Sequence, residues 1–314
     1  MIRLRGHGGS RGLCDKPPGA DRRKAIHMAR QTPDIEDFTI IRHIGTGARS
    51  RIYLARDEQT GRTVALKQAV MEAPEDQRIF EQMETEYRVA RQLDHPYLRK
   101  CYKLIKRRRL LRTTELLLSM EYFPGQSLED GPSLSLGDIL LVFRMVATGL
   151  NAMHEKGLVH CDIKPNNILI SKEGMIKIID LGQSCRLGTI KRRIQGTPDY
   201  IAPEQVLRKH ISHRTDMFNL GATMYWALTG KNVPTLIPKK TDLGFTAMQK
   251  KQAGFKAPHE VYRQIPQDVS QIVMDCVQED PANRPANMGE IISRMDVAIR
   301  RIFGNKFANA GPQP

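Results

Sequence analysis

The sequence predicts an α+β chain in two parts: a five-stranded antiparallel sheet with one helix, then a mainly helical portion. Three observations predict it. Short β-prone runs separated by turns crowd the region after Phe38, interrupted by one segment of helical periodicity. Composition shifts toward helical patterns beyond Tyr122–Gly125. A length of 314 residues suits about two structural parts at roughly 150 residues each. The expected divisions are a basic tail over 1–33, a β-rich part over 34–122, a helical part over 123–304 and a second tail over 305–314.

Residues 1–33 are rich in Gly, Pro and Arg and lack the apolar run of a secretory signal. An alternative start at Met28 would remove 1–27. The runs 38–41 and 51–55 flank a Gly-containing turn, and 63–67 follows Gly61 as a further hairpin. From Pro74 to Leu93 there is no Gly or internal Pro, and Ile79, Phe80, Met83, Tyr87 and Ala90 recur at helical spacing, which predicts one amphipathic helix. Two more strands are expected over 102–105 and 115–120. Ser135 is placed to cap a helix from Leu136 to about Lys156 that Gly157 closes. An apolar helix is expected over 215–229, ended by Gly230, with two more near 267–277 and 287–303.

Hydrophobic residues make up 40% and charged residues 26%, which allows a sizeable core and excludes wholesale disorder. The net charge of +15 favours acidic partners such as phosphates. Five scattered cysteines without CxxC spacing argue against a disulfide framework or zinc site and for a reducing, cytoplasmic setting. No run approaches the eighteen apolar residues of a membrane span.

Chemistry-bearing residues cluster in four places. Gly45 and Gly47, between the first two strands, let backbone approach a phosphate, although any hairpin turn uses glycine. The strand-to-strand placement excludes a dinucleotide fingerprint or Walker loop. Lys67 ends the apolar run Val64–Leu66, so its ammonium needs an anion; the following helix offers Glu84 and Glu86, of which Glu86 lies on the core-facing side. Between the apolar runs 158–159 and 168–170, Asp162 can accept a hydroxyl proton, Lys164 can steady a phosphoryl group, and Asn167 can offer an amide oxygen to a hard cation. Asp180 ends the next strand before Gly182 and completes an oxygen-rich Mg²⁺ site with Asn167.

In this order and spacing the segments resemble the eukaryotic-type serine/threonine protein kinase family, from about Phe38 to Phe303. The resemblance implies a two-lobed protein-kinase-like fold, ATP and Mg²⁺ as cofactors, and transfer of the ATP γ-phosphoryl group to Ser/Thr hydroxyls of protein substrates. It also implies the roles. Gly45, Gly47 and Ile52 would cover the nucleotide, Ala65 and Leu169 would sandwich the adenine, and Met120 resembles the gatekeeper. The hinge would run from Glu121 to Phe123. Lys67 would hold the α- and β-phosphates and pair with Glu86. Asp162 would orient and deprotonate the acceptor hydroxyl, Lys164 would meet the γ-phosphate, and Asn167 and Asp180 would bind the metal. The segment Gly196–Glu204 resembles the substrate-docking element, with Glu204 paired to Arg284 and Asp216 bracing the catalytic loop. Lys164 with Thr197 points to Ser/Thr over Tyr acceptors.

The sequence departs from the family pattern at several positions. Ser50 replaces the third glycine of the loop, and Leu181 replaces the usual Phe of the metal motif. The stretch Gln126–Ser135 is short, so the first helix of the second part is expected to be trimmed. Cys161 stands where regulated members carry an Arg, so activity is expected not to require activation-loop phosphorylation, Thr189 being the mid-loop hydroxyl. Cys185 is expected near Cys161. The two would fill the vacated pocket as small apolar groups, a redox pair being the alternative. The basic run Lys106–Arg109 reads as a solvated turn, and no nucleic-acid partner is expected because aromatics are not interleaved with it. The rival readings are a pseudokinase-type binding module, disfavoured by the presence of Lys67, Asp162, Asn167 and Asp180, and a small-molecule kinase, disfavoured by the docking segment. Substrate, upstream signal and oligomeric state are not encoded in these motifs.

Overall fold

The computed structural model describes residues 35–47, 49–236 and 255–304. The tails expected at 1–33 and 305–314, with the alternative start at Met28, lie outside the described residues. The chain divides into two compact units. Of the described residues, one unit holds those from Ile35 to Met83 together with Cys101–Tyr122, and the other holds Glu84–Lys100 together with those from Phe123 to Gly304.

The first unit is a five-stranded antiparallel sheet in the order β1-β2-β3-β5-β4. Its strands are β1 (Phe38–Gly47), β2 (Ser50–Asp57), β3 (Thr63–Val70), β4 (Cys101–Arg109) and β5 (Arg112–Glu121). All five are longer than the apolar runs alone suggest, because ladder pairing carries polar residues with it; Arg107 pairs opposite Glu115 and Arg109 opposite Arg112. One face packs Ile35, Phe38, Ala55, Val64, Leu66 and Leu117 into a core. Burial of each such side chain contributes roughly 1.5–3 kcal/mol. After β3, Pro74–Asp76 forms a 3-10 turn and α1 runs Gln77–Ala90, so the expected helix begins and ends about a turn inside its sequence limits. The cause is Asp76, whose carboxylate accepts the main-chain N–H groups of Glu72 and Ala73 at 2.9 and 2.7 Å and holds the turn apart from the helix proper.

The second unit is mainly helical: α2 (Leu136–Glu155), α3 (Pro203–Val206), α4 (His213–Thr229), α5 (Pro258–Val261), α6 (Gln267–Cys276) and α7 (Met288–Phe303). Ser135 caps α2 by accepting from Asp138 N–H, and Gly157 follows its end at φ +65°, a left-handed turn that glycine adopts without strain. Among the described residues α2 alone is long and apolar enough to cross a membrane, and 61% of that apolar window is buried within the fold. Helix α4 starts two residues earlier than its apolar pattern because Ser212 caps it. A Cβ at Gly221 would stand 2.5 Å from the Cβ of Cys276, so the absence of a side chain lets α4 and α6 approach closely.

Two short sheets complete this unit. β6 (Gly125–Ser127), β8 (Ile168–Ser171) and β9 (Ile176–Ile178) form one; β7 (Leu158–Val159) and β10 (Cys185–Arg186) form the other. No helix lies between Phe123 and Ser135; β6 and a turn closed by Ser127 and Asp130 fill the interval.

Candidate active site

The chemistry-bearing loop runs from β7 to β8, and its shape is set from beneath by one buried carboxylate. Asp216, in the first turn of α4, accepts the main-chain N–H of His160 at 2.9 Å and of Cys161 at 2.8 Å, and the ring of His154 at 2.9 Å. Burial alone would raise its pKa. The His154 hydrogen bond and charge, with the amide of Cys161, overcome that and hold it below the ordinary carboxylate value. These bonds stabilise the left-handed backbone of Cys161, at φ +68°, a conformation that disfavours side chains.

Asp162 is buried and fully engaged. Its Oδ1 accepts the Thr197 hydroxyl at 2.9 Å. Its Oδ2 accepts Gln183 Nε2 at 3.0 Å, lies 3.0 Å from Lys164 Nζ, and has Asn167 Nδ2 at 3.4 Å. Lys164 also donates to Thr197 at 2.8 Å. Thr197 therefore accepts from the cation and donates to the carboxylate through one hydroxyl oxygen, a use closed to an apolar group. A carboxylate so placed can take a proton, and the ammonium beside it can neutralise phosphoryl charge.

Asn167 donates its amide nitrogen to the Asp162 carbonyl at 2.8 Å, which leaves the amide oxygen as its ligand end. Its main-chain carbonyl accepts from Ile179 N–H at 2.9 Å, tying the loop to the strand end that carries Asp180. The Nδ1 of His160 accepts from Asp162 N–H at 3.2 Å, so its Nε2 carries the proton and donates to the Ile179 carbonyl at 3.4 Å. Asp180 sits at φ +62° and caps the turn Leu181–Gln183. Amide and carboxylate oxygens suit a hard cation such as Mg²⁺, which takes few protein ligands and completes its shell with water and phosphate. Among the described residues no cluster of three or more His, Cys, Asp or Glu competes as a metal site. The Asn167 amide and the Asp180 carboxylate are donors of the type that Mg²⁺ takes.

The segment Gly196–Glu204 is fixed to the same loop. Gln205 Nε2 donates to the carbonyls of Cys161 at 2.8 Å and Gln195 at 3.1 Å, while its oxygen accepts from Ala202 N–H at 2.9 Å and Asn219 Nδ2 at 3.1 Å. Arg284 grips Glu204 through both carboxylate oxygens. Leu169 lies on β8, paired with Ser127 and Lys177, and Phe123 packs its ring near Lys177 Nζ at 6.0 Å.

The remaining sequence-predicted residues, Glu86 apart, belong to the sheet unit. Gly45 and Gly47 end β1, facing Ile52 and Ser50 in the ladder. A Cβ at Gly47 would stand 2.6 Å from Ser50 Oγ, so a side chain there would require the serine hydroxyl to rotate away. Ala65 faces Leu54 and Met120, Lys67 faces Ile52 and Leu118, and Glu121 faces Val64. Lys67 and Met120 are buried. Glu86 of α1 accepts from Arg99 at 3.1 Å in the helical unit, a partner the sequence reading missed. Gln183, Gln205 and Arg99 carry no local signal, since glutamines and arginines are common on surfaces.

A family model for the protein kinase domain matches residues 38–294. The serine/threonine-protein kinase PknD of Chlamydia pneumoniae is 29% identical across 82% of this chain and 30% of its own length. A protein of Caenorhabditis elegans named cAMP-dependent protein kinase, catalytic subunit-like, is 34% identical across 64% of this chain and 51% of its own. Mouse Aurora kinase C is 30% identical across 63% of this chain and 71% of its own. The chain thus spans about a third of the first relative and about half of the second. The five-stranded sheet and the helical unit are the parts that the protein-kinase fold requires, and the match covers most of the sequence: the chain belongs to the protein kinase domain family.

Proposed function

We propose that this chain transfers the γ-phosphoryl group of ATP to Ser or Thr hydroxyls of protein substrates. The observation that carries the reading is the triangle of Asp162, Lys164 and Thr197, with contacts of 2.8–3.0 Å. Asp162 orients the acceptor hydroxyl and takes its proton as the bond to phosphorus forms. Lys164 neutralises charge on the migrating group. Thr197 holds base and cation in register. Asn167 and Asp180 would hold Mg²⁺, which would supply charge neutralisation when bound. We assign the phosphates to Lys67, with Glu86 as its counter-ion, and the nucleotide to Gly45, Gly47, Ile52, Ala65, Met120, Glu121, Phe123 and Leu169. Little covalent work falls to the protein; positioning and charge placement supply the rate.

Cys161 stands where regulated members carry an arginine awaiting a phosphate, which supports activity without activation-loop phosphorylation. A cytoplasmic setting fits the free thiols Cys101, Cys161, Cys185 and Cys276. Incubation with radiolabelled ATP and a generic basic protein, with Asp180→Ala as control, tests the reading. Label on protein that disappears in the variant supports it. ATP binding without transfer points to a binding module, and transfer only to small metabolites points to a small-molecule kinase.

A further inference from the structure

The thiol of Cys161 lies in a small apolar cluster with Val159 and Ile211, and Cys185 packs against it. The ladder between β7 and β10 sets Cys185 opposite Val159, which brings the two Sγ atoms to 3.6 Å. Mere filling of a pocket does not account for the chemistry around them. Cys185 is half-buried, and the hydrogen bond from Cys161, ahead of the opposing effect of burial and with help from the Lys191 ammonium, lowers its pKa. Burial raises the pKa of Cys161 and keeps it protonated. By contrast Cys276, buried without such a partner, is pushed up to about 12.

We propose that Cys161 and Cys185 are a peroxide-sensitive pair that closes into a disulfide between the catalytic loop and the activation segment. In the first step the Cys185 thiolate attacks a peroxide oxygen. The O–O bond breaks, the sulfur becomes a sulfenic acid, and the alkoxide or hydroxide released takes a proton from solvent. In the second step Cys161 sulfur attacks the sulfenic sulfur. The S–S bond forms, the S–O bond breaks, and the Cys161 proton leaves with the hydroxide as water. Two thiols and one peroxide give one disulfide, one water and one alcohol or second water. The slow, protonated Cys161 is compensated by its proximity.

Closure requires the sulfurs to approach by about 1.5 Å, from 3.6 Å to a normal S–S length. Cys161 is held through its N–H by Asp216 and through its carbonyl by Gln205, so the strand carrying Cys185 must move. Two residues earlier, Gln183 donates to the Asp162 carboxylate, and its carbonyl accepts from Lys191. The shift therefore reaches the base, and turnover falls. That last consequence rests on the phosphoryl-transfer reading; the disulfide itself does not.

The test treats the full-length, reduced protein with hydrogen peroxide, maps peptides without reduction, and measures phosphoryl transfer in parallel. The expected result is a linked peptide joining Cys161 to Cys185, a several-fold loss of turnover, and recovery of both with dithiothreitol. Cys185→Ser, or Cys185→Ala should the serine fold poorly, is expected to keep basal activity and lose the peroxide response. Oxidation of Cys185 to sulfinic acid with Cys161 left free, linkage to Cys101 instead, or an unchanged peroxide response in the Cys185 variants overturns the pair. A linked peptide with unchanged turnover overturns the coupling to Asp162. Absence of transfer in every state strikes the kinase reading and leaves the peptide map to decide the pair.

Discussion

Glu204 and Arg284, 80 residues apart, form a two-pronged ion pair with contacts of 2.7 and 2.9 Å, and neither side chain reaches solvent. The guanidinium also donates to the carbonyls of Arg214, Gln278 and Glu279 and lies 5.0 Å over the Phe218 ring. Every donor has an acceptor, so the desolvation cost of both charges is met. Arg284→Ala leaves a buried carboxylate alone and is expected to lower stability by about 3–5 kcal/mol in urea unfolding. An exposed control such as Arg300→Ala should change little.

Asp162 and Asp180 are expected to fail differently. Asp162→Asn keeps the side chain's size but turns one accepting oxygen into a donor and removes the base, and turnover should fall by roughly 10²–10⁴-fold. Asp180→Ala should abolish transfer, with thermal stability little changed. Near-normal steady-state turnover in either variant contradicts the roles.

The Thr189 hydroxyl donates to the Arg186 carbonyl at 2.6 Å, and the main chain of Gly188 and Thr189 pairs with Ile211 at 2.8 and 2.9 Å. The segment is ordered by its own backbone. Thr189→Ala should retain turnover, with the protein purified unphosphorylated as judged by intact mass. Loss of activity restored by Thr189→Glu would contradict this.

Asp216 sets an acid limit. Its folded pKa lies below the unfolded value of 3.8, so its stabilising contribution is fully present above that value and is lost as pH falls through the depressed folded one. Asp216→Asn should be destabilised at neutral pH, and the difference from wild type should shrink below about pH 4 in chemical denaturation curves.

At the contact of α4 and α6, Gly221→Ala should cost about 1–3 kcal/mol, because the Cys276 Cβ it meets is fixed to the helix backbone. Helix propensity favours the alanine by only about 1 kcal/mol. Calorimetry reads the net sign.

What the sequence disclosed, and what it hid, follows from the range of the forces involved. Helix ends were legible at Ser135, Gly157 and Gly230 because caps act within one turn. The grouping of Asp162, Lys164 and Asn167 was legible because six residues of loop bring them together unaided. β6 was not, since Gly125, Gln126 and Ser127 have no strand preference and are held only by pairing with β8. Arg99 on Glu86, and Gln183 on Asp162, were hidden for the same reason: each meets its partner across 13 or 21 residues, and nothing in either neighbourhood marks it.

The side chain of Gln205 touches four stretches of main chain or side chain at once, from Cys161 to Asn219. Any rewriting of residues 195–203 inherits that constraint. A shorter amide cannot span the same distances and a carboxylate has no hydrogen to give two carbonyls, so the platform can be re-upholstered freely only while this one bolt stays in place.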